Sequence, residues 1–322
     1  MDGILIIDKP EGITSHDVVA RCRRILRTKR IGHTGTLDPF ATGVMVVLVG
    51  RATRLAQFLD KDAKEYVATV RFGFETDTGD RTGSRKSQAS SPKSISAEDA
   101  EAVLPDFRGE IWQTPPMYSA KKVEGKKLYE LARKGIEIER QPVKITIYQL
   151  ELIEPGVESR KPEEKDLEHG TWNTEHGTPD PGLGTWDLGL KVSCSAGTYI
   201  RVLAEDIGRK LETDAHLAEL RRTGAGKFGI EQSVTLEELE KIVAENRLAE
   251  VLISMNEAVS HLAEVKLSAE EAAKIKNGVR LKRASEEFKN GEFLRLTEDG
   301  NLLAIGFYSG TEKVVQPKLV LV

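Results

Sequence analysis

The sequence predicts an α+β protein: a mixed domain over residues 1–258, then a small, mainly β domain over 259–322. In the first part, short Val, Ile and Leu runs bounded by Gly and Pro alternate with stretches of helical spacing. From about Leu262 the pattern shifts to brief strands around one short helix. The 322 residues suffice for a large domain with a buried core and a smaller companion.

The start, Met1–Asp8, reads as a first strand, because its short apolar run has neither the basic flank nor the cleavage site of a signal peptide. Lys9-Pro10-Glu11-Gly12 is a turn, and Thr14 or Ser15 can cap a helix with Asp17 in its first turn. Val18, Val19, Cys22, Ile25 and Leu26 lie at helical spacing, with the arginines mostly on the other side. Val44–Val49 and Glu65–Gly73 predict strands, the second placing Tyr66, Ala68, Val70 and Phe72 on one face. The polar tract Asp77–Pro92 predicts loop, and Ser96-Ala97-Glu98-Asp99 opens a helix as a capping box. Around Pro115 and Pro116 the chain leaves regular structure for a loop-plus-helix excursion, and Lys144–Leu150 returns as a strand. Residues 154–186 read as a surface insertion; its His169 and His176 lack metal-ligand spacing. Leu188–Cys194 is a strand that runs through Gly197 and Thr198 into a helix with Ile200, Leu203, Ile207 and Leu211 on one stripe. A helix over 267–278 and strands at 293–296 and 302–308, turning at Asp299-Gly300, complete the chain.

Composition excludes several function classes. No segment has the apolar length to span a bilayer, so a soluble protein is expected. Two distant cysteines, Cys22 and Cys194, fit a reducing cytoplasm and rule out a cysteine-based zinc site within the chain. A net charge of −4 argues against nucleic acid, but its distribution argues the other way. Arg21, Arg23, Arg24, Arg27, Lys29 and Arg30 precede a glycine-rich loop, and Lys121, Lys122, Lys126, Lys127, Arg133 and Lys134 form a second block. Solvated helix faces would explain either block alone; together, with the acid collected elsewhere, they look more like a phosphate-binding surface.

The glycine-rich loop, Gly32 to Gly43, holds one carboxylate, Asp38, beside Pro39. Its three glycines permit positive φ or close chain approach, and Pro39 restricts Asp38. Two readings remain open on these residues: Asp38 nucleates a turn, or it is a reactive carboxylate held for chemistry. The loop lacks the Gly-Lys-[Ser/Thr] ending of a phosphate-binding loop and the dinucleotide fingerprint. Gly32-His33-Thr34-Gly35 matches only part of the nucleotidyl-transferase histidine signature, with no lysine-rich partner motif, and no Gly-x-Ser-x-Gly elbow is present.

Five motifs occur together in order: Gly3–Pro10, Gly32–Gly43, Lys64-Glu65-Tyr66, Pro115–Ala120 and Cys194–Arg201. Over residues 3–230 the chain resembles the bacterial tRNA pseudouridine synthase B family, with 154–186 as the main departure. The resemblance implies a pseudouridine synthase fold, a largely antiparallel mixed sheet flanked by helices and loops, and a PUA-like C-terminal domain. It implies isomerisation of uridine 55 in the TΨC loop of tRNA, with Asp38 as the single catalytic aspartate and neither cofactor nor metal. Arg201 would pair with Asp38 and favour its charged form. Tyr66 would stack on the base and help remove its C5 proton, Tyr199 and Leu220 would line the pocket, and His33 would fill the space left by the flipped base. Lys9, and Lys121, Lys126 and Lys127 in a thumb-like loop at 114–142, are expected RNA contacts. The partner is tRNA, through the TΨC arm and the acceptor stem, with a cytoplasmic monomer and no obligatory protein partner. A PUA-containing RNA-binding protein without chemistry and a guide-RNA-dependent synthase are the competing readings.

Overall fold

The computed structural model describes residues 1–86, 95–119, 122–123, 126–132, 135–154 and 186–321. Most of the 154–186 insertion therefore lies outside the described residues, as does Lys121. Up to residue 225 the strands are β1 (Gly3–Lys9), β2 (Ile31–Thr34), β3 (Thr42–Val49), β4 (Lys64–Phe72), β5 (Gly109–Gln113), β6 (Lys122–Val123), β7 (Lys126–Lys127), β8 (Val143–Ile153), β9 (Trp186–Cys194) and β10 (Ala215–Ala225). They continue with β11 (Phe228–Gly229), β12 (Ala263–Lys266), β13 (Leu281–Lys282), β14 (Phe293–Glu298), β15 (Asn301–Ser309) and β16 (Val314–Val320).

The main sheet runs β1-β3-β10-β4-β9-β8-β5, with β2 paired to β3 and β11 to β10. Every pairing in it is antiparallel except β3 with β10, which meet in parallel over only Arg221↔Thr42 and Arg222↔Gly43. The expected antiparallel character holds, and the parallel seam borders the cleft lined by several of the expected site residues. Gly43 makes the seam possible, since a Cβ there would stand 2.1 Å from the Arg222 carbonyl oxygen and its φ is +98°.

Alternation decides which layer each strand residue joins. Ile4, Ile6, Val44, Val46 and Leu48 enter one core, while Leu5, Ile7, Met45, Val47 and Val49 enter another. The second core is closed by Val18, Val19 and Cys22 of the helix Ser15–Ile25 and by Leu236 and Leu239 of the helix Leu236–Ala244. Tyr66, Ala68, Val70 and Phe72 share a third core with Leu203 and Ile207 of the helix Ile200–Lys210, as the alternation in β4 predicts. Thr14 caps the first helix in a capping box with Asp17, and Ser96 caps Ala97–Val103 with Asp99.

The C-terminal strands form a second sheet, β12-β14-β15-β16-β13. The expected turn between β14 and β15 is present, with positive φ at Asp299 and Gly300. Leu302, Ile305, Leu319 and Leu321 join the core of Ile4, Val44 and Leu48. Arg51 adds a 2.7 Å bond to the Leu321 carbonyl, and Phe58 meets Phe293 edge-on at 5.4 Å. Among the described residues no helix is long and apolar enough to cross a membrane.

Candidate active site

A cleft of about 510 Å³ opens beside the β3–β10 seam, with Asp38, Tyr66, Leu220 and Arg201 on its walls. Chain segments on both sides fix the Asp38 loop. The Ser15 hydroxyl accepts from the Leu37 N–H (2.9 Å) and donates to the Leu37 carbonyl (3.0 Å). Ser15 is thus the tether and Thr14 the cap. On the far side the Gly12 N–H donates to the Pro39 carbonyl at 2.8 Å. Gly35, at φ +63°, donates its N–H to Asp60 and accepts from Arg222 through its carbonyl, at 3.1 and 2.9 Å. Gly32 lies in regular strand, so only two of the loop's three glycines carry positive φ.

Lys9 is fully buried, and its ammonium donates to the carbonyls of Pro10, Pro39 and Ala41 at 3.0, 3.1 and 2.6 Å. The expectation that it contacts RNA does not fit this placement: Lys9 holds the Asp38 loop from behind. Burial lowers its pKa to about 8, opposed by the nearby charge of Asp38.

Asp38 pairs with Arg201, Oδ2 to Nε at 3.0 Å, and no other described side chain hydrogen-bonds its carboxylate. Burial raises the Asp38 pKa above its ordinary value; Arg201 pulls it down and Asp80 pushes it up. The expected effect of Arg201 is present, but desolvation outweighs it.

Arg201 is only 6% exposed and fully engaged. Beyond Asp38 it donates to the carbonyls of Thr78 (2.8 Å) and Tyr118 (2.7 Å), and it lies 3.6 Å from Asp80. Asp80 is buried, and its Oδ1 accepts from the Thr78 hydroxyl, the Thr82 N–H and the Thr82 hydroxyl at 2.9, 2.9 and 2.6 Å. Part of the tract read as plain loop is therefore a folded support for Arg201. Residues 87–92 of that tract lie outside the described residues.

Tyr66 is buried in β4 opposite Arg222 of β10 and Val192 of β9. Burial raises its pKa, while the charge of Arg222 and a hydrogen bond from it act the other way. Arg222, 1% exposed, also donates to the Val44 carbonyl at 2.6 Å and so spans the seam. His33 sits on β2 at the cleft rim, 3.5 Å from the Thr36 hydroxyl. Burial, and then Arg222, lower its pKa, which keeps the imidazole neutral at neutral pH.

Tyr199 lines the cleft at the N-cap of the helix Ile200–Lys210, where no side-chain cap is present. Gln113 at the end of β5 grips the same residue from outside: its side chain accepts from the Tyr199 N–H (3.0 Å) and donates to the Tyr199 carbonyl (3.2 Å). Lys126 and Lys127 are described as backbone in β7, paired with β6, while Lys121 lies outside the described residues.

Asp80, Arg222 and Gln113 escaped sequence reasoning. Asp80 sits in a polar tract without periodicity. The adjacent Arg221 and Arg222 were a usable signal, because neighbouring charges in a strand point to opposite faces and one of them must find buried partners. Arg221 meets Asp8 bidentately at 2.8 and 3.1 Å on its side.

Residues 23–200 match the model of the TruB family pseudouridylate synthase N-terminal domain, and residues 201–260 that of the tRNA pseudouridylate synthase B C-terminal domain. The chain is 41% identical to the tRNA pseudouridine synthase B of Solibacter usitatus, over 99% of this chain and 98% of that protein. It is 40% identical to the protein of that name from Geobacillus thermodenitrificans, over 95% and 94%. Among solved structures it resembles a chain of an H/ACA RNP bound to a substrate RNA containing 2′-deoxyuridine, with a TM-score of 0.70, 25% identity, and coverage of 99% of this chain and 85% of that one. A chain of a Cbf5-Nop10-Gar1 complex matches with the same TM-score at 26% identity and the same coverage. With a family model covering more than half of it and relatives near 40% identity along almost its full length, the chain belongs to the TruB family of pseudouridylate synthases.

Proposed function

We propose that the protein isomerises uridine 55 in the TΨC loop of tRNA to pseudouridine, with Asp38 as its one catalytic carboxylate. The observation that carries this reading is the Asp38–Arg201 pair, at 3.0 Å, in a cleft also lined by Tyr66. The reaction breaks the N1–C1′ bond, turns the uracil, forms the C5–C1′ bond, and moves a proton from C5 into the solvent–protein pool while N1 gains one. It is redox-neutral and requires no cofactor. Asp38 can start it by attacking C1′ or by taking the C2′ proton, and both need the ionised carboxylate. Arg201 supports that state against the cost of burial.

A stacked uridine must be extruded from the RNA before it reaches Asp38. In this reading Tyr66 stacks on the extruded ring and aids C5 deprotonation, Tyr199 and Leu220 wall the pocket, and His33 at the rim occupies the vacated space. Arg24, Arg27, Lys29 and Arg30 are exposed at the end of the first helix, where phosphates can meet them. Lys121, Lys126 and Lys127 of the thumb-like loop serve the same purpose. The C-terminal sheet, as a PUA-like domain over 259–322, contacts the acceptor stem. The enzyme works as a cytoplasmic monomer.

The test is tritium release from C5-labelled tRNA transcript by the purified protein alone. Stoichiometric release, abolished by replacing uridine 55 with cytidine, is expected. The structural likeness to H/ACA particles suggests guide dependence as the rival. Release that required added guide RNA or protein would favour that rival, and no release under any condition would leave an RNA-binding protein without chemistry.

A further inference from the structure

Among the described residues, the Ser119 hydroxyl lines the cleft buried and without a partner. The residue lines the cleft with Asp38 and Arg201 and is 5% exposed, yet its Oγ has no hydrogen-bond partner among the described residues. Buried hydroxyls are almost always paired, and an unpaired one at a site of reaction calls for an explanation. Among the described residues the other buried polar atoms in that condition are Arg23 Nε and Arg140 Nε, and each belongs to a guanidinium with another nitrogen bonded, to the carbonyl of Ile31 and of Pro115. Ser119 has no such second group.

The backbone around Ser119 is fixed. Its N–H donates to the Met117 carbonyl at 3.0 Å, closing a three-residue turn. The preceding carbonyl, that of Tyr118, accepts from the Arg201 guanidinium at 2.7 Å. The start of the segment is held by Gln113 on Tyr199. The hydroxyl is therefore positioned by the same arginine that holds Asp38. A serine hydroxyl can both donate and accept, which suits uridine: its ring offers two carbonyl oxygens and an N–H, and its ribose offers hydroxyls.

We propose that Ser119 is a substrate-binding residue, whose hydroxyl takes up its hydrogen bond with the extruded uridine nucleotide in the cleft. This rests on the isomerisation reading above. The test compares wild type with Ser119→Ala in single-turnover tritium release at saturating tRNA, alongside tRNA affinity and the melting temperature of the free protein. Losing one hydrogen bond to the reacting nucleotide should slow the variant about tenfold or more. Affinity for tRNA, dominated by phosphate contacts, should barely change. The melting temperature should hold or rise, because the variant loses an unpaired buried hydroxyl.

A variant as fast as wild type overturns the inference, and so does a slow variant that is destabilised to match, since the hydroxyl would then serve the fold. If wild type itself releases no tritium, the isomerisation reading fails; if wild type is active and the variant equals it, only the role of Ser119 fails.

Discussion

Replacing Arg201 with methionine keeps a long side chain but removes four interactions at once. Asp38 loses its ion pair at 3.0 Å, Asp80 loses a cation at 3.6 Å, and the Thr78 and Tyr118 carbonyls lose their donor. Removing one partner from a buried pair costs about 3–5 kcal/mol. The lower end applies, because the Asp38 side chain is 36% exposed and can draw on water, while Asp80 keeps its three donors on Oδ1. A stability loss of about 3 kcal/mol is therefore expected from denaturant titration. If a similar free energy is lost from the orientation of Asp38, the single-turnover rate falls about a hundredfold. The pH profile separates this from general damage. Arg201 lowers the proton affinity of Asp38 against burial, so without it the acid limb of the rate profile should move to higher pH. Tritium release at saturating RNA, measured from acid to neutral pH, checks this. A loss confined to tRNA affinity, or an acid limb that stays in place, would refute the role assigned to Arg201.

Asp38→Asn is expected to abolish tritium release while leaving tRNA binding largely intact. The native state holds the Asp38 proton more tightly than the unfolded chain, so its contribution to stability falls as pH rises from its ordinary value through its raised one, and asparagine should remove that pH dependence from the melting temperature. Gly43→Ala should destabilise the protein by about 2–4 kcal/mol, since its Cβ meets the Arg222 carbonyl at a backbone conformation that alanine resists. Thermal melting checks it, and a wild-type melting temperature would mean that the seam can open at no cost.

The parts legible in the sequence were those carried by short-range signals. Apolar runs bounded by turn residues located β1, β3 and β9, alternation located β4, and the caps at Thr14 and Ser96 located two helix starts. Asp38 and Arg201 lie 163 positions apart, and only the ordered family motifs joined them before the structure did. β10 went unread because Arg221 and Arg222 interrupt its apolar pattern, Arg222 finding a buried carbonyl and Arg221 a half-buried carboxylate across the sheet. β2 was hidden because it is only four residues long with Gly32 inside it, and its pairing with β3 supplies what so short a run lacks. Lys9, in its proline turn, was an expected RNA contact. Three backbone carbonyls, two of them some thirty residues away in sequence, make its burial possible.

The core that joins the two sheets constrains how a long RNA can be held. Leu302, Ile305, Leu319 and Leu321 sit among Ile4, Val44 and Leu48 with no linker of free chain between the layers. A cut after residue 258 would not release a self-sufficient piece but would open a greasy wound along β1 and β3, the second of which leads out of the Asp38 loop. On the proposed contact with the acceptor stem, the C-terminal sheet would be a fixed stop, since it shares a core with β1 and β3: an RNA resting on it would meet the cleft at one distance and one angle.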